Sequence, residues 1–307
     1  MSRQIKNVVL AGATGALGSH ILTGLVSHGG FNLTILTRNA AGTLPVGATA
    51  KVVDFSSVTA LAAALQGQDA VVDAISSPDP SVSMRLIDAA VTAGVYRYIA
   101  PEFSGDPKND KGRALPVFGG KKQIYEHLQK VASEDRITWT AISNGAFLDW
   151  CLRTGFVNID LFNKKVALMN DGSHVFPWTT LPAVGTAVCN ALTQAEKTKN
   201  QTLFIYSVQK SQKDILAIAK DALGAENWET QSQDMEAALE EAMIAVKSGD
   251  YSWKVMGDLI RYSISTPGYS GRLEQDNNDL LGVRPMSDEQ VKTLIQQIFD
   301  ELKTAKK

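Results

Sequence analysis

Short, nearly unbroken apolar runs alternate with stretches in which apolar residues recur every three or four positions, and the alternation persists through the first half of the chain. Unbroken runs are strands covered on both faces, and the wider spacing marks helices with one buried stripe. Strands are predicted at 8–11, 32–37, 51–53, 69–75, 97–100 and 137–142. The first intervening helix carries Leu17, Ile21, Leu22 and Leu25; the second runs from Ser57 to Leu65. The third spans about Ser81 to Ala93, with Ile87, Ala90 and Val91 on one face and Gly94 as its stop. Another begins near Val117, after a polar loop. Strict alternation of strand and helix requires right-handed crossovers, so residues 1–150 are predicted to form a doubly wound parallel α/β sheet.

The second half reads differently. Lys165 to Met169 is a short strand, Asn170 to Ser173 a turn, Leu181 to Leu192 a helix and Thr202 to Val208 a further strand. That last helix and strand form one more sheet repeat, so the chain is expected to rejoin the first domain over about 177–208. Residues 151–307 are expected to be mainly a smaller, helix-rich substrate lobe, with 211–307 its helical part. No linker separates the two, which points to a cleft between packed lobes.

Composition narrows the function. The 307 residues include 30 basic and 32 acidic side chains, and no basic stripe interleaved with aromatics supports nucleic-acid binding. Lys306-Lys307 reads as a solvated tail. Cys151 and Cys189 read as buried apolar residues, and the four histidines have no ligand spacing, so no metal is expected. Without a signal peptide or a membrane-length apolar span, the chain is expected to be soluble and cytoplasmic, a monomer or homodimer with no membrane partner.

Chemistry enters at the first strand, which runs straight into Gly12-Ala13-Thr14-Gly15-Ala16-Leu17-Gly18. Gly12 permits the tight turn, Gly15 lets the backbone close on a pyrophosphate, and Gly18 lets the helix pack closely. A glycine turn between a buried strand and an apolar helix predicts a dinucleotide-binding, Rossmann-type domain. The second strand ends Thr37-Arg38-Asn39 with no carboxylate for a ribose hydroxyl, so Arg38 is expected to pair with a 2′-phosphate and favour NADPH. Asp54-Phe55 follows the third strand, where an adenine usually lies; a helix-capping role for Asp54 is equally compatible. The chain's Tyr-x-x-x-Lys, Tyr206 to Lys210, falls in a predicted strand that would hold the two about 13 Å apart, too far to act together.

The glycine turn, Gly94-Val95-Tyr96-Arg97-Tyr98-Ile99-Ala100-Pro101-Glu102-Phe103 and Phe118-Gly119-Gly120-Lys121-Lys122-Gln123-Ile124 resemble the isoflavone reductase-like branch of the atypical short-chain dehydrogenases, within the NmrA-like superfamily. Asn144-Gly145-Ala146-Phe147-Leu148-Asp149-Trp150 and Asn278-Asp279-Leu280-Leu281-Gly282 are most similar to its fungal members. The resemblance implies an NADPH-dependent reductase of phenylpropanoid-like or other aromatic molecules. Its Phe-x-Gly-Lys-x-Gln-Ile falls on Phe118, Gly120, Lys121, Gln123 and Ile124, which makes Lys121 the expected catalytic residue, at the nicotinamide ribose.

Ligands of parallel sheets lie beyond the carboxyl ends of the strands. The expected cofactor residues are therefore Gly12, Thr14, Gly15, Ala16, Leu17, Gly18, Arg38, Asp54, Phe55, Ser76, Phe103, Lys121, Asn144, Gly145 and Phe147. Phe147, Trp150 and Trp178 are expected to meet the substrate, with Phe156 and Phe176 as further aromatics; core packing is the competing reading of all such rings. The plant enzymes' Pro-Ser-Glu-Phe-Gly becomes Ala100-Pro101-Glu102-Phe103-Ser104 here, and the loop to Leu115 is more polar, so their substrates do not carry over. NmrA-like proteins also include nucleotide sensors without turnover, the alternative function. A sugar epimerase or dehydratase would need the missing tyrosine.

Overall fold

The structure, a computed structural model, describes residues 4–39 and 46–305; the Lys306-Lys307 tail and most of the Gly/Pro loop before the third strand lie outside them. In chain order the elements begin β1 (Asn7–Ala11), α1 (Ala16–His28), β2 (Asn32–Thr37), β3 (Ala48–Val52), α2 (Val58–Leu65), β4 (Ala70–Asp73), α3 (Ser81–Thr92) and β5 (Arg97–Ile99). A short α4 (Asp110–Arg113) and a single 3-10 turn at Pro116–Phe118 precede α5 (Gly119–Ser133) and β6 (Thr138–Ser143). Then come β7 (Ala146–Phe147), α6 (Leu148–Thr154), β8 (Ile159–Asp160), β9 (Lys165–Met169), β10 (Val175–Thr179), α7 (Leu181–Thr193), β11 (Gln201–Phe204) and β12 (Val208–Ser211). The chain ends α8 (Gln212–Leu223), β13 (Glu229–Gln233), α9 (Met235–Lys247), α10 (Trp253–Ser265), α11 (Asn278–Leu281) and α12 (Asp288–Ala305).

Seven strands form the main sheet in the order β11-β6-β5-β4-β1-β2-β3, and every pairing in it is parallel. Helices α1 and α7 cover one face, around Ile21, Leu25, Val184 and Val188. The opposite face packs Leu61, Leu86, Ile87 and Leu128 of α2, α3 and α5 against Val9, Val71 and Tyr98. This is the expected doubly wound α/β fold. The sheet changes direction between β1 and β4, so a crevice opens beyond their carboxyl ends. Helices α1 and α7 touch because both lack a side chain where they meet: a Cβ on Gly185 would lie 2.6 Å from the carbonyl oxygen of His20.

Fully buried Arg97 ties the far side of the sheet together. It donates to Thr138 Oγ1, Thr140 Oγ1, Thr198 Oγ1 and the Ala195 carbonyl at 2.6–3.0 Å. Burial lowers its pKa, and the four acceptors compensate its lost hydration.

The second core is built from α6, α8, α9, α10 and α12, around Leu152, Ile215, Met235, Leu259 and Ile295. Two three-stranded sheets, β12-β10-β7 and β13-β9-β8, line it.

Three predicted elements move. The third strand is Ala48–Val52 rather than 51–53, because pairing with β2 from Leu33↔Ala48 to Thr37↔Val52 sets its extent and its mostly exposed side chains leave no apolar run to read. The helix expected near Val117 starts at Gly119, after the 3-10 turn led by Pro116. The strand expected over Thr202 to Val208 is two strands in two sheets, broken at 205–207. Residues 277–283 return from the helical part to the main sheet: Asn277 Oδ1 accepts from Phe204 N and Asn278 Oδ1 from Tyr206 N at 2.8 and 3.0 Å, while Leu281 and Val283 enter the α1/α7 core.

Candidate functional site

At the direction change of the sheet the backbones crowd. Gly12 has φ +86°, and a Cβ there would stand 2.5 Å from the Ala74 carbonyl oxygen at the end of β4. Gly18 is held by its own turn, its would-be Cβ falling 2.0 Å from the Gly12 carbonyl oxygen. Gly15 is different: a Cβ would meet only that same oxygen, at 3.4 Å. It is the N-cap of α1 and provides no side-chain cap, so the first-turn N–H groups lack helical partners and carry the positive end of the helix dipole.

A cavity of about 710 Å³ opens from this turn along the carboxyl ends of the strands. Gly15, Ala16 and Leu17 line it with Ser76 after β4, Phe103 and Ser104 after β5, Lys121 on α5, and Gly145, Phe147 and Trp150 after β6. Aromatic residues form much of its far wall. Trp150 packs against Phe156 at 5.2 Å and edge-on against Trp253 at 6.2 Å between centroids, and Tyr269 joins them in the lining.

Lys121 is the best-anchored cation of the site. Its Nζ donates to the carbonyls of Pro101 and Glu102 at 2.6 and 2.5 Å, which leaves one of three ammonium donors uncommitted. Burial pulls its pKa below the ordinary lysine range against the opposing pull of Glu102; Arg113 lowers it further and Asp73 raises it. Lys122, the next residue, is exposed and pairs with Glu126 at 3.8 Å. Phe103, in the loop that supplies the two carbonyls, is held at φ 37°, a strained conformation of the kind that collects at functional sites.

The sequence-predicted residues divide. Gly15, Ala16, Leu17, Ser76, Phe103, Lys121, Gly145, Phe147 and Trp150 share the cavity; Gly12 and Gly18 shape the turn behind it. Thr14 is exposed and outside the lining. Arg38 is exposed at the end of β2. Asp54 is also exposed and accepts from Ser56 N and Oγ at 2.8 and 2.7 Å; those two bonds are the main reason its pKa is lowered. The helix cap is Ser57, whose hydroxyl accepts from Ala60 N. Phe55 packs against the core beneath α2 and α3.

Two expectations need correction. Trp178 does not reach the cavity: it is fully buried, stacks on Phe176 at 4.4 Å and donates Nε1–H to the Lys210 carbonyl. Alternation along β10 decides this, because Pro177 faces the cavity and its neighbours face the lobe core. Asn144 is likewise fully buried; its carbonyl accepts from Thr179 Oγ1 at 2.6 Å and its amide donates to Gly145 O. Sequence reasoning missed Arg113, Phe118, Trp253 and Tyr269 as cavity residues. The signal within reach was the charged Asn109 to Arg113 stretch inside a loop already set apart as unusually polar.

Tyr206 lies in the break between β11 and β12 while Lys210 is on β12, where it pairs with Asp288 at 2.8 Å. Among the described residues no His, Cys, Asp and Glu cluster could hold a metal, and no helix is long and apolar enough to cross a membrane.

Comparison with known proteins bears on the family and the fold. The NAD(P)H-binding family model matches residues 12–166. Oxidoreductase aprR of Aspergillus flavus is 33% identical over 268 residues, covering 86% of this chain and 89% of its own. An NmrA-like family domain-containing oxidoreductase of Gibberella moniliformis is 24% identical over 251 residues, with 75% and 81% covered. The crystal structure of an isoflavone reductase superposes with a TM-score of 0.75 at 18% identity, over 96% of this chain and 99% of the other. The chain belongs to the NAD(P)H-binding family, has fungal oxidoreductases and an NmrA-like oxidoreductase among its relatives, and has the isoflavone reductase fold.

Proposed function

We propose that the chain is an NADPH-dependent reductase of an aromatic small molecule, with Lys121 at the reacting end of the cavity. The observation that carries this reading is a single cavity shared by the uncapped start of α1, the Lys121 amine and a wall of aromatic rings. The residues present fit the cofactor. The turn at Gly15 is free of its own chain on one side, and the uncapped N–H groups suit a diphosphate. Arg38, with no ion pair among the described residues, offers a bidentate fork to a 2′-phosphate.

NADPH, when bound, supplies a hydride. The chain's own residues do the rest. Phe103, Gly145 and Phe147 would flank the nicotinamide, and Trp150 would hold the substrate ring. Lys121 would act at the reacting end through its one uncommitted donor, which would either orient the nicotinamide ribose or hand a proton to the reduced substrate. A lysine amine whose pKa lies below the ordinary range transfers protons more readily near neutral pH.

The test is NADPH consumption over a panel of aromatic ketones, enones and lignan-type benzylic ethers, with NADH in parallel. Oxidation of NADPH by at least one class, lowered about 10²-fold or more in Lys121→Ala, is the expected result. Tight NADPH binding with no turnover of any class would instead establish the nucleotide-sensor reading.

A further inference from the structure

We propose that Arg113 is a specificity-determining residue that recognises an oxygen acceptor on the aromatic substrate; the proposal deepens the preceding reading and rests on it for the identity of the cavity. The Arg113 side chain is only 6% exposed and lines the cavity. Its Nη2 is held by the Glu102 carboxylate, itself buried. The other terminal nitrogen, Nη1, is buried without a hydrogen-bond partner, and so is the hydroxyl of Ser104 in the same lining. Around them the wall is apolar, with Phe118, Phe156, Ile260 and Ile264. A few fixed polar groups in an apolar pocket orient a ligand and select it.

The surroundings hold the helix that carries Arg113 in place before any ligand arrives. Helix α4 is capped by Asn109, whose side-chain oxygen accepts from Gly112 N at 2.9 Å. The amide of the same Asn109 donates to the carbonyls of Gly268 and Tyr269 at 2.9 and 3.2 Å, fastening α4 to the opposite rim. Glu102 fixes one arm of the guanidinium and balances its charge; the remaining arm, which has almost no accessible surface in this structure, turns toward the cavity to serve a neutral carbonyl or phenol oxygen as well as an anionic one. A hydrocarbon of the same shape leaves Nη1 unpaired, and the site discriminates against it.

Binding rather than turnover tests this. Probes of one shape, 2-acetylnaphthalene, 2-naphthoate and 2-isopropylnaphthalene, are titrated against tryptophan fluorescence, which Trp150 and Trp253 in the lining report. The wild type is expected to bind at least one oxygen-bearing probe tenfold or more tighter than the hydrocarbon. Arg113→Lys keeps a cation for Glu102 but removes the second nitrogen; it should bring that preference to threefold or less and leave hydrocarbon affinity unchanged. If Arg113→Lys fails to fold, Arg113→Met combined with Glu102→Gln removes the charge pair together and should give the same loss. A wild type without preference, or a folded variant that retains it, overturns the proposal. NADPH titration is read separately, so failure of the cofactor assignment does not mask the result.

Discussion

The main-chain carbonyl of Glu102 accepts a 2.5 Å hydrogen bond from Lys121 Nζ. Through its side chain Glu102 also holds Arg113, so one acidic residue positions both Lys121 and Arg113. The chemistry of the site is tied to the single loop after β5.

Lys121→Ala is expected to lower turnover by about 10²-fold or more, the lower range of general acid–base contributions. Lys122→Ala, which removes only an exposed pair with Glu126, should leave it unchanged. The pH profile carries the second readout. As a proton donor Lys121 acts in its charged form, so activity should fall as pH rises through its pKa, and burial places that limb below the ordinary 10.5. Steady-state rates from pH 6 to 11 would show it; a flat profile would remove the proton-transfer role.

Arg38→Ala should weaken NADPH binding by roughly tenfold or more, as loss of a charge-assisted hydrogen bond of about 1.5–3 kcal/mol requires, and leave NADH nearly unaffected. Fluorescence titration of both cofactors measures this. Equal losses would show that Arg38 does not read the phosphate.

The turn glycines should separate by readout. Gly15→Val is expected to abolish nucleotide binding while the protein stays folded, because the nearest atom of the chain to its Cβ is 3.4 Å away. Gly12→Ala should unfold the domain at much lower temperature, since its Cβ would meet the Ala74 carbonyl at 2.5 Å and its φ is +86°. Thermal melts alongside NADPH titrations distinguish the two.

Trp178→Ala is expected to cost about 3–5 kcal/mol of stability, as for other large core residues. Trp150→Ala, at the half-buried cavity wall, should instead raise KM for an aromatic substrate with a smaller loss of stability. Denaturant unfolding and kinetics would reveal a reversal of these roles.

Arg97→Ala should destabilise the domain by about 3 kcal/mol or more, because its removal strands buried acceptors on Thr138, Thr140 and Ala195. Urea denaturation monitors it, and a loss within 0.5 kcal/mol, the range of ordinary surface substitutions, would contradict the network's importance.

What the sequence determined by itself is the part set by short-range pattern. The run Val8 to Ala11 followed by Gly12, Gly15 and Gly18 specifies a strand, a turn and a helix within a dozen positions; Gly18 is constrained by the turn's own Gly12 carbonyl, whereas the close approach at Gly12 is to Ala74 of a distant segment. Lys121 was singled out by the resemblance of its local motif to the isoflavone reductase-like family, and the parallel sheet by the regular spacing of buried runs. Only the tertiary structure decided the rest. Thr202 to Val208 reads as one strand, yet its two ends pair with partners in different sheets. Trp178 and Trp150 are equally aromatic in sequence; the face of β10 buries one, while the start of α6 puts the other at the cavity. Arg113 became a cavity residue because Asn109 reaches across 159 positions to Gly268 and Glu102 across 11 to its guanidinium. Such contacts leave no period in the chain, since they arise only when distant segments are brought together by burial.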